Sequence, residues 1–403
     1  MLKEVYGLNW KRTLLILWIS DFFCAMGMSL ILPFLPLYIE KLGVHQMASV
    51  ERWTGWIFSG QFIVSVFFQP IWGRVADKYG RKSMLLRAGF GMGVVTALMG
   101  LATAPWQLLV LRIINGVFSG FISMSISLLA SVTPNEQSGR ALGTLQTGLI
   151  AGSLLGPLAG GIMAEKMGYS HIFFFTGAFL CVAGLLILFF VHEEHKPTSV
   201  SKEKSKVHWA MVKPMLPVFI ASFATNLGMM TIEPLATVYA KTLYHGLHLE
   251  FFAGLVVSIT GVANLVGAPT LGKIGDKIGQ RKILAFALLM AALAFIPQAL
   301  AGNITTLLVG RFLLGLFVGG MVPSLNVLVK KLAPPEIQAT AFGFNSSSLF
   351  LGNFAGPLIG SHIAALYGIR SVFYVTMSVL LLNSIAIYFN RSMDANLSKA
   401  RTA

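Results

Sequence analysis

The chain has 403 residues, of which 55% are hydrophobic and 11% charged, whereas a soluble domain carries about a quarter charged residues. That composition excludes an ordinary soluble protein, and the net charge of +15 does not indicate nucleic acid, because the bases fall between apolar runs rather than along one face. Cys24 and Cys181 both lie inside apolar runs and read as small core residues, without disulfide or metal-ligand spacing.

A helix needs roughly 20 apolar residues to cross a bilayer. Apolar runs over 12–38, 52–73, 83–103, 106–130, 140–163 and 170–191 supply six such spans. A polar stretch from His192 to Lys213 follows, and six more spans run over 214–240, 251–272, 283–301, 304–328, 338–364 and 369–390. The first run, Thr13 to Tyr38, is too long for a signal-peptide core and is read as a retained span. The expected fold is therefore all-α and integral to the membrane: twelve transmembrane helices in two six-helix bundles, 1–191 and 214–403, joined by a cytoplasmic linker over 192–213.

Lys and Arg set the orientation. With the N-terminus inside, 23 of the 30 bases lie on the cytoplasmic side, and only Lys41, Arg52, Lys166, Lys241 and Arg370 lie outside. Arg112 and Arg311 fall within spans. Both termini are expected in the cytoplasm.

The sequence also repeats. GRVADKYGRK from Gly73 recurs as GKIGDKIGQRK from Gly272, and Arg112 has Arg311 as its counterpart, both at an offset of 199. Pro157 and Pro357, in GSLLGPLAGG and GNFAGPLIG, lie 200 apart, as do Pro134/Glu136 and Pro334/Glu336. Two parallel halves with a binding cavity near the bilayer midplane are the expected arrangement.

Three motifs carry a family resemblance. Gly73-x-x-x-Asp77-Lys78-x-Gly80-Arg81-Lys82 resembles the signature loop of the major facilitator superfamily. Arg112-x-x-Asn115-Gly116 is similar to its fourth-span motif, and the glycines from Gly148 to Gly161 around Pro157 are similar to its antiporter motif. The chain most resembles bacterial multidrug efflux proteins of the twelve-span drug:proton antiporter group, including fluoroquinolone-exporter-like members. The resemblance implies a non-enzymatic secondary transporter in the bacterial cytoplasmic membrane, driven by a proton gradient without a cofactor. It further implies a monomer acting on small amphipathic molecules. No G-x-x-x-x-G-K-[ST] loop for ATP is present, and no metal-ligand spacing is found.

Physical chemistry assigns parts to these motifs. Gly73 and Gly272 are expected to admit a close helix approach. Asp77 with Arg81, and Asp276 with Arg281, form candidate breakable latches, against the plainer reading that the bases only anchor topology. The glycines around Gly156 and Pro157, and around Gly356 and Pro357, recur every four residues. They are expected to pack a bent helix at the interface between the halves.

Buried ionisable groups in spans are costly and mark function. Asp21 lies about 14 Å along the first helix at 1.5 Å per residue, near the midplane. Arg112 is its natural counter-charge, and Glu233 precedes Pro234 in the seventh span. A proton carrier must be a carboxylate whose affinity burial can tune, so Asp21, Glu233 and Arg112 are the proton-coupling candidates. Two alternatives stand beside this: a structural Asp21–Arg112 pair, and Glu233 snorkelling to the interface. Arg311 is read as structural. Relatives often carry the first-span acid one turn later, where this chain has Cys24, so Asp21 departs from the pattern.

Candidate substrate contacts are Phe34, Tyr38, Gln61, Asn115, Gln146, Asn226, Met230, Asn326, Asn345 and Phe350, since pockets for varied apolar cations favour aromatic, Met and few polar groups. The leading expectation is proton-coupled export of varied amphipathic drugs. The alternative is a dedicated exporter or flippase for one metabolite, siderophore, sugar or lipid. A sensor that kept the fold is the third reading.

Overall fold

A computed structural model of the protein describes residues 2–193, 212–333 and 338–390. The side chains of Pro70, Arg74, Asp77 and Asp276 lie outside that description, as do those of 2–9, 135–136, 138–140 and 338–340.

The described chain forms helices, with no strand among the described residues. The first half comprises α1 (Leu2–Ile31), α2 (Leu35–Lys41), α3 (Met47–Tyr79), α4 (Arg81–Met99), α5 (Pro105–Phe118), α6 (Phe121–Val132), α7 (Asn135–Met167) and α8 (Tyr169–Phe190). The second half comprises α9 (Leu216–Ile232), α10 (Ala236–Leu243), α11 (Leu249–Ile278), α12 (Gln280–Ala299), α13 (Ile304–Leu332), α14 (Gln338–Tyr367) and α15 (Ile369–Phe389).

Several crossings are built from two helices. The first passes from α1 to α2 through a 3₁₀ turn at Leu32–Phe34, and the seventh from α9 to α10 through Glu233–Leu235. Pro33 and Pro234 supply the cause, since a proline removes one amide from the helical ladder. Joined in this way, ten described segments are long and apolar enough to cross a membrane. α3 and α4, of 33 and 19 residues, are also long enough, with basic residues clustered at their shared end. Together they make the twelve crossings.

The fourth crossing differs from the continuous span expected over 106–130. It breaks at Ser119–Gly120, where Gly120 adopts φ +114°, a left-handed conformation that glycine takes at no steric cost. Its counterpart at offset 199, Gly319, is instead helical inside the unbroken α13, where it lies against Asn264 and Ala268. One residue type thus serves two conformations, which sequence pattern alone does not separate.

By contacts the chain divides into two units. The first takes Met1–Val44, Gly60–Ser199 and His248–Ser258; the second takes His45–Ser59, Val200–Leu247 and Ile259–Ala403. Within the first, α1 packs on α7 and α8, and α4 packs on α8 and α5. Within the second, α9 packs on α14 and α15, and α12 packs on α15 and α13. The same pairings recur because the halves repeat.

The glycine stripes form these primary contacts, while the Pro157 carbonyl and Gly161 at the end of the first stripe also meet Gly254, Glu250 and Phe251 of α11, a helix of the second half. A Cβ on Gly152 would lie 2.4 Å from the Phe22 carbonyl oxygen, and one on Gly156 would lie 2.7 Å from that of Met26, both on α1. Gly356 and Gly360 press the same way on the Leu227 and Thr231 carbonyls of α9. The stripe therefore locks the fifth crossing to the first, and the eleventh to the seventh, inside each bundle. Both α7 and α14 run helically through Pro157 and Pro357.

A tyrosine secures the end of the third crossing in each half. The Tyr38 hydroxyl donates to the carbonyls of Met99 and Ala102 at 3.3 and 3.2 Å, and its ring packs on Phe173. Tyr239 does the same to Gln298 and Ala301 at 3.1 and 3.3 Å, against Phe373. These are the orphan carbonyls of helix C-termini, answered by a side chain from a neighbouring helix.

Candidate functional site

Asp21 has no exposed surface. It sits on α1 between the buried Leu17 and Cys24, and one carboxyl oxygen accepts a 2.8 Å hydrogen bond from the Ser125 hydroxyl on α6. Its other oxygen, Oδ1, is buried with no partner. Arg112, on α5, instead donates to the Gln61 side-chain oxygen on α3 at 3.0 Å, and its Nε and Nη2 are buried without acceptors. The anticipated Asp21–Arg112 pair is thus not formed. The break at Ser119–Gly120 lies between the two partners, so the arginine and the serine belong to different helices.

The second unit carries the ion pair that the first lacks. Glu233, 26% exposed in its 3₁₀ turn, accepts from Arg311 at 3.3 Å, while Arg311 is 1% exposed. Arg311 therefore contacts the acid of its own half rather than serving packing alone. Asp21 has Ser222 at its register in the second half, at the offset of 201 that relates Pro33 to Pro234 and Tyr38 to Tyr239. Ser222 donates to Asn345 at 2.6 Å.

Burying an ionised group is costly unless it is paired and hydrogen-bonded. In the first unit an acid and an arginine each keep orphaned polar atoms, a costly arrangement of the kind found at functional sites.

The remaining expectations divide. Phe34 and Tyr38 are 2% exposed and belong to packing: Phe34 lies against Gly160, and Tyr38 caps α4. Asn115 is likewise a tie between helices, donating to Thr96 on α4 at 3.0 Å. Gln61 holds Arg112. Met230 packs against Gly356. Gln146 is exposed on α7, and Phe350 is half-buried on α14. Asn226, Asn326 and Asn345 join a polar ladder in the second unit: Asn345 donates to Asn326 at 3.2 Å, and Asn226 donates to the Leu349 carbonyl at 2.8 Å.

At the signature loop, Gly80 and Gly279 take φ +91° and +99°, as a sharp turn requires. Gly73 and Gly272 do not mediate a close approach, since a Cβ on either would meet nothing within 4 Å; both lie within helices. The carboxylates of Asp77 and Asp276 lie outside the described side chains. Arg81 donates through Nε to Ser127 at 2.9 Å, and its backbone amide, with that of Lys82, donates to Glu193 at 3.0 and 2.7 Å. Arg281 is not the structural counterpart of Arg81. Gln280 begins α12 where Arg81 begins α4, and Arg281 reaches the Ile387 and Tyr388 carbonyls as Lys82 reaches that of Leu188.

Sequence reasoning missed Ser125, Glu193 and Glu51. Glu51 is 4% exposed near the start of α3, one residue before the span assigned from hydropathy. Ser125 would have emerged only had the fourth span been divided.

A duplicated twelve-crossing helical scaffold with uncompensated buried charges defines a polytopic membrane transport protein. The sequence profile of the Major Facilitator Superfamily matches residues 17–252 and 218–402, and the chain belongs to that superfamily, whose members are transporters rather than enzymes. It is 41% identical over 386 residues to the multidrug resistance protein MdtG of Citrobacter koseri, covering 94% of each chain. It is 39% identical over 386 residues to that of Escherichia coli O1:K1, again covering 94% of each. Its fold is similar to a D-xylose–proton symporter (TM-score 0.78, 15% identity, 94% and 98% of the two chains). It is also similar to the nucleoside transporter NupG (TM-score 0.77, 14% identity, 93% and 98%).

Proposed function

We propose that the protein exports amphipathic drugs across the bacterial cytoplasmic membrane in exchange for protons, by alternating access of its two halves. The observation that carries the drug-export reading is its likeness to proteins named for multidrug resistance over 94% of both chains. Proton coupling is supported by Asp21, whose fully buried carboxyl keeps one oxygen free of any partner. Protonation removes the charge that burial penalises, and arrival of water or a cationic drug favours its release. Arg112 tunes that exchange as a buried basic group of the same bundle, and Glu233 with Arg311 forms the second protonatable pair.

The bundles 1–191 and 214–403 move as the working bodies, joined by the cytoplasmic linker 192–213, with both termini cytoplasmic in a monomer. The turns at Gly80 and Gly279, with Arg81 and Arg281 beside them, take part in the switch. Gln146, Asn226, Asn326 and Phe350 are the substrate contacts that burial leaves available, and the buried Asn345 positions Asn326.

The test is a resistance and transport panel on cells expressing the chain, with and without a proton uncoupler, followed by drug-driven collapse of a pH gradient in inverted vesicles. Efflux that survives the uncoupler would remove the proton from the mechanism. Retention of coupled efflux in both Asp21→Asn and Glu233→Gln would remove these acids as carriers.

A further inference from the structure

The second unit holds a groove of about 390 Å³ between the first turns of α3 and the last turns of α14. Arg52 and Trp56, one helical turn apart, line it from α3; Leu358, Ile359, His362 and Ile363 line it from α14. The helices touch beside it, where a Cβ on Gly55 would stand 2.6 Å from that of Ser361. Arg52, Trp56 and His362 are all exposed, Trp56 by 53%. Neither Arg52 nor His362 has an ion-pair or hydrogen-bond partner among the described residues. No acid lines the groove; the neighbouring Glu51 faces a separate cavity with Val238 and Thr242.

Depth along the helices fixes what such a groove meets. At 1.5 Å per residue, α3 and α14 are about 50 and 45 Å long, against a hydrocarbon layer of about 30 Å. Their ends therefore project about 10 and 8 Å into the headgroup region. Arg52 and His362 each lie five residues, or about 8 Å, from those ends, at the level of lipid phosphates. Trp56 lies one turn deeper, at the edge of the hydrocarbon, where tryptophan is enriched.

We infer that this groove binds an anionic phospholipid, with its phosphate between Arg52 and His362 and an acyl chain along Trp56, Leu358, Ile359 and Ile363. A zwitterionic lipid would bring an ammonium group to a rim that offers two basic side chains and no carboxylate. The leaflet follows from the orientation proposed above and is the outer one; the lipid preference does not depend on it.

Fluorescence quenching in nanodiscs tests the site, with the Trp56 signal isolated by subtracting the Trp56→Phe protein. Brominated phosphatidylglycerol should quench that signal at a mole fraction about fivefold lower than brominated phosphatidylcholine of the same chain length, the increment expected of one basic side chain near a headgroup. Arg52→Gln combined with His362→Gln should equalise the two lipids, whereas Arg52→Lys should keep the preference. Both positions are exposed, so folding should persist, and an unchanged elution volume checks it. Equal quenching in the wild type, or a preference that survives the double substitution, overturns the inference. Loss of the preference on adding inorganic phosphate would show an anion site without lipid specificity and would likewise overturn it.

Discussion

Glycine 156 offers a quantitative test of the packing that holds the first bundle together. In Gly156→Ala the new methyl would lie 1.9 Å from the Ser29 hydroxyl oxygen and 2.7 Å from the Met26 carbonyl oxygen. Ser29 can rotate, at the loss of its 2.8 Å bond to the Ala25 carbonyl, but the Met26 carbonyl is backbone and cannot. Relief therefore needs α1 and α7 to separate by about half an ångström, a gap that already forfeits about a quarter of a van der Waals well for the atoms on either side. Overpacking of this kind costs about 1–3 kcal/mol. Gly143 on the same helix is the control, since a Cβ there meets nothing within 4 Å and alanine should gain up to about 1 kcal/mol in helix propensity. The two substitutions should separate by about 2–4 kcal/mol. The assay is thermal unfolding of purified protein read by a thiol-reactive dye, because Cys24 is fully buried in that bundle and becomes reactive as α1 comes away. Equal melting temperatures for the two variants would refute the close-packed stripe.

Asp21→Asn should abolish drug-dependent proton release from inverted vesicles while leaving drug binding measurable; Ser125→Ala should keep transport but move its pH profile, and an unmoved profile would detach Ser125 from the carrier. Glu233→Gln should lower stability by about 1–3 kcal/mol by stranding the buried Arg311, and chemical denaturation should show part of that loss recovered in Glu233→Gln/Arg311→Gln. Absence of recovery would show that the two residues act separately. Glu193→Ala removes the acceptor for two N-terminal amides of α4 and should cost about 1–2 kcal/mol, visible as faster hydrogen exchange at Arg81 and Lys82; unchanged exchange would mean water serves those amides equally well.

The scaffold was largely legible before any coordinates. Apolar run lengths, the repeat at offsets near 200 and the glycine spacing identified the crossings and the faces that pack. Partner choice was less legible, because spacing marks a face but not what it meets: the Gly148–Gly160 stripe reads the same whether it packs on α1 or on the other half. Tyr38 and Phe34 have the composition of a drug pocket, yet their burial comes from helix ends and ring contacts formed across more than 60 residues of sequence. Asp21 found Ser125 rather than Arg112 because one glycine took a left-handed conformation that its counterpart Gly319 avoids. The non-equivalence of Arg81 and Arg281 was visible in the letters, since GRK and GQRK differ by one residue, but its meaning required the helix starts.

The tyrosine caps bear on how this protein could be re-engineered. Tyr38 and Tyr239, each with its phenylalanine, occur in both copies, whereas the acid of the first crossing occurs in one: Asp21 has Ser222 in its place. Framework and chemistry are thus separable parts, and the second half offers a vacant berth at the same register. Ser222→Asp would place a carboxylate against Asn345, whose amide can turn to donate to it. A chain carrying both acids would ask whether the number of ions exchanged per cycle is a property of the fold or only of how many berths are filled.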